Sequence, residues 1–334
     1  MDVFEVLRLN DKEFLDSVKK GDCAVKYAIV VPVFQNQDSI PRLLSNLSSL
    51  SEKYENDLEV VFVIDGSTDK SQEFLIESCK VHKFKSQIIN HSKNFGSFAA
   101  ITTGLKHVKS EYTSTYSADC QEPVSLIEDF FKILEEDKAD VVFGQRLERS
   151  DNFLSKLFSN LFWSIYRTTI DSSMPKGGVD IFGCNRAFRN ELIKLEESRS
   201  SLIALAFWLG FERKIVKYNR LAREDGKSAW SLKKKFNYFL DSLFSFTDLP
   251  IRVLLALGAF GVIFSLVLGS VVLVLRLYGD IEVPGYSPTI LLILFFGALN
   301  VFGVGLVGSY AWRSYENSKR RPNAIVSRIQ KVNE

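Results

Sequence analysis

The sequence is short of the residues that mark several common classes of protein. It has four cysteines, Cys23, Cys79, Cys120 and Cys184, with no CxxC pair and no cysteine–histidine spacing that suits zinc. Free thiols in a reducing compartment are the plain expectation. The three histidines, His82, His91 and His107, are scattered and read as structural or surface groups. There is no surplus of charge. Lys and Arg number 42 against 40 Asp and Glu, and a net charge of +2 gives nucleic acid no global electrostatic hold. Nucleic acid is therefore not an expected partner. Residues 1–25 lack the apolar core of a secretory signal. They read instead as an amphipathic extension striped by Val3, Phe4, Val6, Leu7, Phe14, Leu15 and Val18.

Two stretches lack charge altogether. Val253–Leu275 would run roughly 35 Å as a helix, against a hydrocarbon core of roughly 30 Å, and Ser287–Trp312 is a second such run. Neither has a polar face, so two membrane helices are predicted, at about 253–275 and 288–312 within a hairpin over 250–313. No charge sits mid-span, which argues against an ion or proton pathway. Lys233, Lys234, Lys235 and Arg252 precede the hairpin, and Arg313, Lys319, Arg320, Arg321 and Arg328 follow it. The positive-inside rule then places the N-terminal domain and both termini on the cytoplasmic side of an inner membrane. Gly261, Ser265 and Gly269, and Gly305 with Ser309, allow close helix approach within the hairpin or between copies, so a homo-oligomer is open. Residues 230–249 set Trp230, Phe236, Phe239, Leu240, Leu243, Phe244 and Phe246 against the three lysines. This reads as an interfacial helix at the lipid headgroups, or as a helix packed on the soluble domain. Residues 314–334 read as a basic tail.

What is present upstream is an α/β rhythm. Strands are predicted at Tyr27–Val33, Leu58–Ile64, Ser86–Asn90, Glu111–Tyr116 and Ala139–Phe143. Helices are predicted at Ser39–Leu50, Asp69–Val81, Ser97–Val108 and Val124–Glu135. That order implies a mostly parallel sheet flanked by helices, in one catalytic domain over 26–229. Ligands of such sheets bind beyond the carboxyl ends of the strands. Polar and glycine-rich segments gather there: VPVF (31–34), IDGSTD (64–69), KNFG (93–96), SADCQEP (117–123), GQR (144–146) and, further on, REDGKSAW (223–230). Taken singly each reads as a turn or a helix cap. In order, they outline one cleft.

This ordered set resembles the family-2 inverting glycosyltransferases of GT-A (Rossmann-like) fold. More closely it resembles the polyprenyl-phosphate glycosyltransferases with a C-terminal membrane hairpin, relatives of the dolichyl-phosphate mannose synthases. The resemblance covers Lys26 to about Leu249, and the hairpin extends it to Trp312. It implies transfer of a sugar from a nucleotide donor, UDP-linked by preference, to an undecaprenyl-type phosphate at the cytoplasmic membrane face. It also implies a divalent metal, Mg2+ or Mn2+, at the donor diphosphate. Asp119 and Gln121 match the second and third metal positions of the family motif Asp-Ala-Asp-Leu-Gln. Ser117 replaces the first, so the metal would bind more weakly, use water there, or lean on Glu122.

By the same resemblance Asp65 meets the nucleobase, Pro32, Phe34 and Asn36 flank it, and Lys93 meets donor phosphate. Arg146 is implied at the acceptor phosphate, with Lys156 and Ser159 as further candidates. Asp180 is implied near the reacting centre, completing a catalytic set of Asp119, Asp180 and Arg146. Arg223, Gly226 and Ser228 would close over the diphosphate. A phosphate acceptor is already anionic and needs no strong general base. Two alternatives stay open. One is a sugar or glycolipid hydroxyl acceptor, with Asp180 as base. The other is a non-catalytic nucleotide-sugar-binding membrane partner. No motif encodes the sugar.

Overall fold

The computed structural model describes residues 25–55, 57–82, 84–147, 175, 179–195, 197, 201–221, 249–278, 286–319 and 321–333. The amphipathic extension, the interfacial helix, and Lys156, Ser159, Arg223, Gly226 and Ser228 lie outside them. The chain divides into two compact units, one built from residues up to 231 together with 322–334, the other from 232–321 with 198–200.

The first unit is an α/β sheet. In chain order its elements are β1 (Tyr27–Val33), α1 (Ile40–Lys53), β2 (Leu58–Ile64), α2 (Ser71–Val81), β3 (Lys85–His91), α3 (Ser97–His107), β4 (Tyr112–Thr115) and α4 (Val124–Glu135). There follow β5 (Val141–Arg146), β6 (Ile181–Asn185), α5 (Arg186–Leu192), α6 (Leu202–Trp208) and β7 (Arg213–Tyr218). The sheet runs β7-β5-β6-β4-β1-β2-β3, with β8 (Val326–Val332) added at the β3 edge. Pairs β1–β2, β1–β4, β2–β3 and β5–β7 are parallel, while β6 runs antiparallel to both β4 and β5.

Burial on both faces explains the central strands. Ala28, Ile29, Val30 and Val31 of β1 and Val60, Val61, Phe62 and Val63 of β2 are all fully buried, so the strands read as unbroken apolar runs. The helices show the other period. Leu43, Leu44, Leu47 and Leu50 of α1, and Ile127, Phe130, Phe131 and Leu134 of α4, recur every three or four residues and bury one stripe. Because β6 runs backwards between β4 and β5, its first residues lie beside their carboxyl ends. The amide of Asp180 donates to the Gly144 carbonyl there, at 3.2 Å.

The segment read as a basic tail is in part a strand. β8 pairs antiparallel with β3 from Ser86–Val332 to His91–Val326. The Asn333 amide donates to the Cys79 carbonyl (2.7 Å) and the His82 carbonyl (2.5 Å), fastening the end of the strand. Arg328 and Lys331 keep the new sheet edge charged, which discourages further pairing.

The second unit contains α7 (Leu249–Leu277) and α8 (Tyr286–Ser318). Small residues let the two helices approach: a side-chain carbon at Gly261 would lie 3.0 Å from Phe296, and one at Gly303 3.5 Å from Leu254. Within α8, Phe295–Ser318 is long and apolar enough to cross a membrane. Leu255, Phe260, Ile263, Leu266, Ile293, Phe295, Val301 and Val304 are exposed on these helices.

Candidate active site

At the carboxyl ends of the strands the site has two sides. The first is built from the loops after β1, β2 and β3, and it is laced by hydrogen bonds. The amides of Gln35, Asn36 and Gln37 donate to Ser67 Oγ (3.0 Å), Ser71 Oγ (3.1 Å) and Asp69 Oδ2 (3.2 Å). Asn36 Oδ1 in turn accepts from the Phe34 amide at 3.0 Å. Gln35 takes a left-handed conformation (φ 52°) at the bend.

Asp65 closes the next loop from beneath. Its carboxylate accepts from the Phe95 and Gly96 amides, both at 2.8 Å, and from His91 Nδ1 at 2.9 Å. A carboxylate only accepts, so Nδ1 carries the proton, and Nε2 meets the Thr103 hydroxyl at 2.9 Å. Burial alone would push the Asp65 carboxyl up; His91 and the two amides outweigh it and hold it below the usual range. Gly66 follows with φ 63°, and a side-chain carbon there would lie 2.4 Å from the Asn94 nitrogen and from the Lys93 carbonyl carbon. Only glycine lets the two loops meet. Asp65 is 2 % exposed and holds the KNFG loop in place, while Lys93 is exposed on that loop.

The second side is built from the ends of β4, β5 and β7 and the start of β6, and it carries charge. Arg146, the last residue of β5, lies with Nε 3.3 Å from Asp180 Oδ2 and Nη2 3.3 Å from Oδ1. Tyr218, the last residue of β7, donates its hydroxyl to Asp180 Oδ2 at 2.9 Å. Burial and the Asp180 carboxylate push the Tyr218 phenol up, so it remains a donor.

The SADCQEP segment turns through Cys120, which is buried and has φ 51°. A non-glycine residue held there is a local strain of the kind found at binding sites. Arg42 of α1 donates to the Asp119 carbonyl at 2.7 Å. Gln121 Oε1 accepts from Arg220 Nη2 at 2.5 Å, and the Leu221 amide donates to the Gln121 carbonyl at 2.8 Å. Glu122 is 2 % exposed and hydrogen-bonded to Ser117. Burial pushes its carboxyl up to about 7, with the Ser117 hydrogen bond opposing and the Asp119 charge adding to it. Arg220 and Asp180 act on the same carboxyl, so the residues of the second side share one electrostatic site.

Asp119, Gln121, Arg146 and Asp180 are thus gathered on one side, and Phe34, Asn36, Asp65 and Lys93 on the loops of the other, with Pro32 near the end of β1. Sequence reasoning missed Tyr218 and Arg220, which belong to no motif, and the burial of Glu122. A divalent cation fits the donor chemistry of the second side, which offers hard carboxylate and amide oxygens and an orphaned buried oxygen, Glu122 Oε2. Among the described residues, no three His, Cys, Asp or Glu side chains gather closely enough to cage an ion alone.

Residues 28–195 match Glycosyl transferase family 2. The chain is 31% identical over 302 residues to the glycosyltransferase CsbB of Bacillus subtilis (strain 168), covering 90% of each. It is 27% identical over 303 residues to the Bactoprenol glucosyl transferase of Shigella phage SfV, covering 90% of this chain and 98% of that one. The chain belongs to glycosyl transferase family 2.

Proposed function

We propose that the protein transfers a sugar from a UDP-linked donor to a polyprenyl phosphate at the cytoplasmic face of a membrane, with inversion at the anomeric carbon. One observation carries this reading. Arg146 projects from the end of β5 with its guanidinium fixed by Asp180, in the same electrostatic site as the Asp119–Glu122 turn. A fixed cation there suits an anionic acceptor. The relative from Shigella phage SfV, named for glucosyl transfer to bactoprenol, supports the same acceptor class along most of the chain.

In this reading the loops after β1, β2 and β3 seat the nucleotide. Pro32, Phe34 and Asn36 flank the base. Asp65 acts through the loop it anchors, and Lys93 faces the donor phosphates. Asp119 and Gln121 would hold Mg2+ or Mn2+, whose chemistry is to neutralise the departing diphosphate. Arg146 positions the acceptor, and Asp180 and Tyr218 keep its guanidinium in place; Lys156 and Ser159 remain candidates for the acceptor phosphate on the sequence alone. An acceptor phosphate oxygen attacks the anomeric carbon, the bond from that carbon to the donor diphosphate oxygen breaks, and UDP leaves with the electron pair. The phosphomonoester becomes a phosphodiester. No proton need be removed, so Asp180 is free to act as a partner of Arg146. Arg223, Gly226 and Ser228 remain candidates for the diphosphate on the sequence alone.

The exposed apolar side chains of α7 and α8 support a membrane hairpin at 253–275 and 288–312, and the flanking cations support cytoplasmic ends. The test is incubation of the full chain in detergent with UDP-glucose, Mg2+ and undecaprenyl phosphate. A lipid-linked sugar released by mild acid is the expected product. Transfer only to sugar hydroxyls, or donor binding without turnover, contradicts the proposal.

A further inference from the structure

The second side of the site holds one group that the proposed reaction leaves unused. Glu122 is 2 % exposed, and its Oε2 has no hydrogen-bond partner. Its carboxyl takes one hydrogen bond from Ser117, next to Asp119. Arg220, whose charge acts on the same carboxyl, gives its Nη2 to Gln121 Oε1 at 2.5 Å. Buried carboxylates in proteins are paired or coordinate a metal, since an unpaired charge away from water is strongly unfavourable. A structural carboxyl would have both oxygens matched by neighbouring donors, as Asp65 does on the other side of the site. Glu122 instead keeps one oxygen uncommitted within the same electrostatic site as Asp119 and Asp180.

We infer that Glu122 is a ligand of the divalent cation, its Oε2 supplying the second carboxylate beside Asp119 and Gln121, with Ser117 orienting it through the other oxygen. The inference rests on the metal-dependent reading above and adds a residue to it. Two carboxylates and an amide oxygen, completed by donor phosphates and water, make a shell suited to Mg2+ or Mn2+. The Ser117 hydroxyl then hydrogen-bonds the ligand and fixes its orientation, as outer partners of metal ligands generally do. Since Ser117 and Glu122 touch, a carboxylate placed at 117 would reach the same region.

The test is Mn2+ binding to the full chain in detergent micelles with saturating UDP, read from the loss of the free-ion electron paramagnetic resonance signal. Glu122→Gln keeps the shape and removes the charge, and is expected to weaken Mn2+ about tenfold or more. Glu122→Asp, with its charge on a shorter stem, is expected to keep more of the affinity than Glu122→Gln. It serves as the comparison if the glutamine variant does not fold, a loss of at least threefold from wild type then being expected. The double variant Ser117→Asp/Glu122→Gln is expected to recover affinity to within about threefold of wild type. Unchanged Mn2+ affinity in Glu122→Gln, or in Glu122→Asp where that variant stands in, overturns the inference and leaves the metal-dependent reading standing. Wild-type protein that takes up no Mn2+ with UDP overturns both.

Discussion

The loops after β1, β2 and β3 and the ends of β4, β5 and β7 sit on one sheet but are held in opposite ways. In the first region the polar groups are spent on one another within and between the loops: Asp65 on His91, Phe95 and Gly96, Asp69 on Gln37 and Ser71, Asn36 on Phe34. In the second, Arg146 faces Asp180, Arg220 donates to the Gln121 amide oxygen, and the buried Glu122 Oε2 has no hydrogen-bond partner. The first region is a rigid seat whose substitutions should act on folding. The second is an electrostatic device whose substitutions should act on turnover.

The strongest test of that division is Arg146→Ala. Removing a fixed cation from the reacting centre should lower kcat/KM for polyprenyl phosphate by about 10²–10³-fold, while thermal unfolding moves little. A large loss of stability with normal turnover per folded molecule would break the comparison. Next comes Gly66→Ala, which forces a side-chain carbon against the Lys93–Asn94 backbone at a left-handed position. It should destabilise the fold by about 3 kcal/mol, seen as a lowered denaturant midpoint.

Asp65→Asn should cost about 2 kcal/mol, since a buried acceptor of three hydrogen bonds loses its charge and part of its accepting capacity. Its pH dependence sharpens the point. The Asp65 carboxyl lies below its ordinary value in the folded protein, so its stabilising contribution is complete above about pH 4 and is lost as pH falls through the folded value. Thermal unfolding of wild type against Asp65→Asn from pH 7 to pH 2.5 should therefore show the gap between them closing only at the acid end. The smallest effect is expected for Tyr218→Phe. It removes one hydrogen bond to Asp180 and should lower kcat/KM roughly fivefold, read in the same transfer assay, with Arg146 still in place.

The buried strands were legible because burial on both faces writes an unbroken apolar run. Tyr27–Val33 and Leu58–Ile64 fall where the sequence predicts them, and α4 begins and ends as expected at Val124 and Glu135. Strands whose side chains are partly exposed were not legible. β7, RKIVKY, mixes charge with apolar residues, and β8, VSRIQKV, reads as a basic tail because its partner β3 lies far away in the chain.

Motifs drew attention to Asp119, Gln121 and Arg146, and the fold brings all three to the carboxyl ends of the strands. Tyr218 and Arg220 carry no motif and are brought in only by the parallel pairing of β7 with β5. The sequence located Asp65 just after β2 but could not show how its carboxylate is spent, because its partners, His91 and the Phe95 and Gly96 amides, lie at the end of the next strand and in the loop after it.

The division between the two sides, and with it the lipid-phosphate acceptor, is most directly tested by calorimetric titration of wild type and Arg146→Ala. Each would be titrated with UDP and, separately, with a short-chain polyprenyl phosphate in the presence of UDP. The expected result is an acceptor affinity at least tenfold weaker in the variant, with UDP affinity within about twofold of wild type. Loss of UDP binding with acceptor binding unchanged would contradict it.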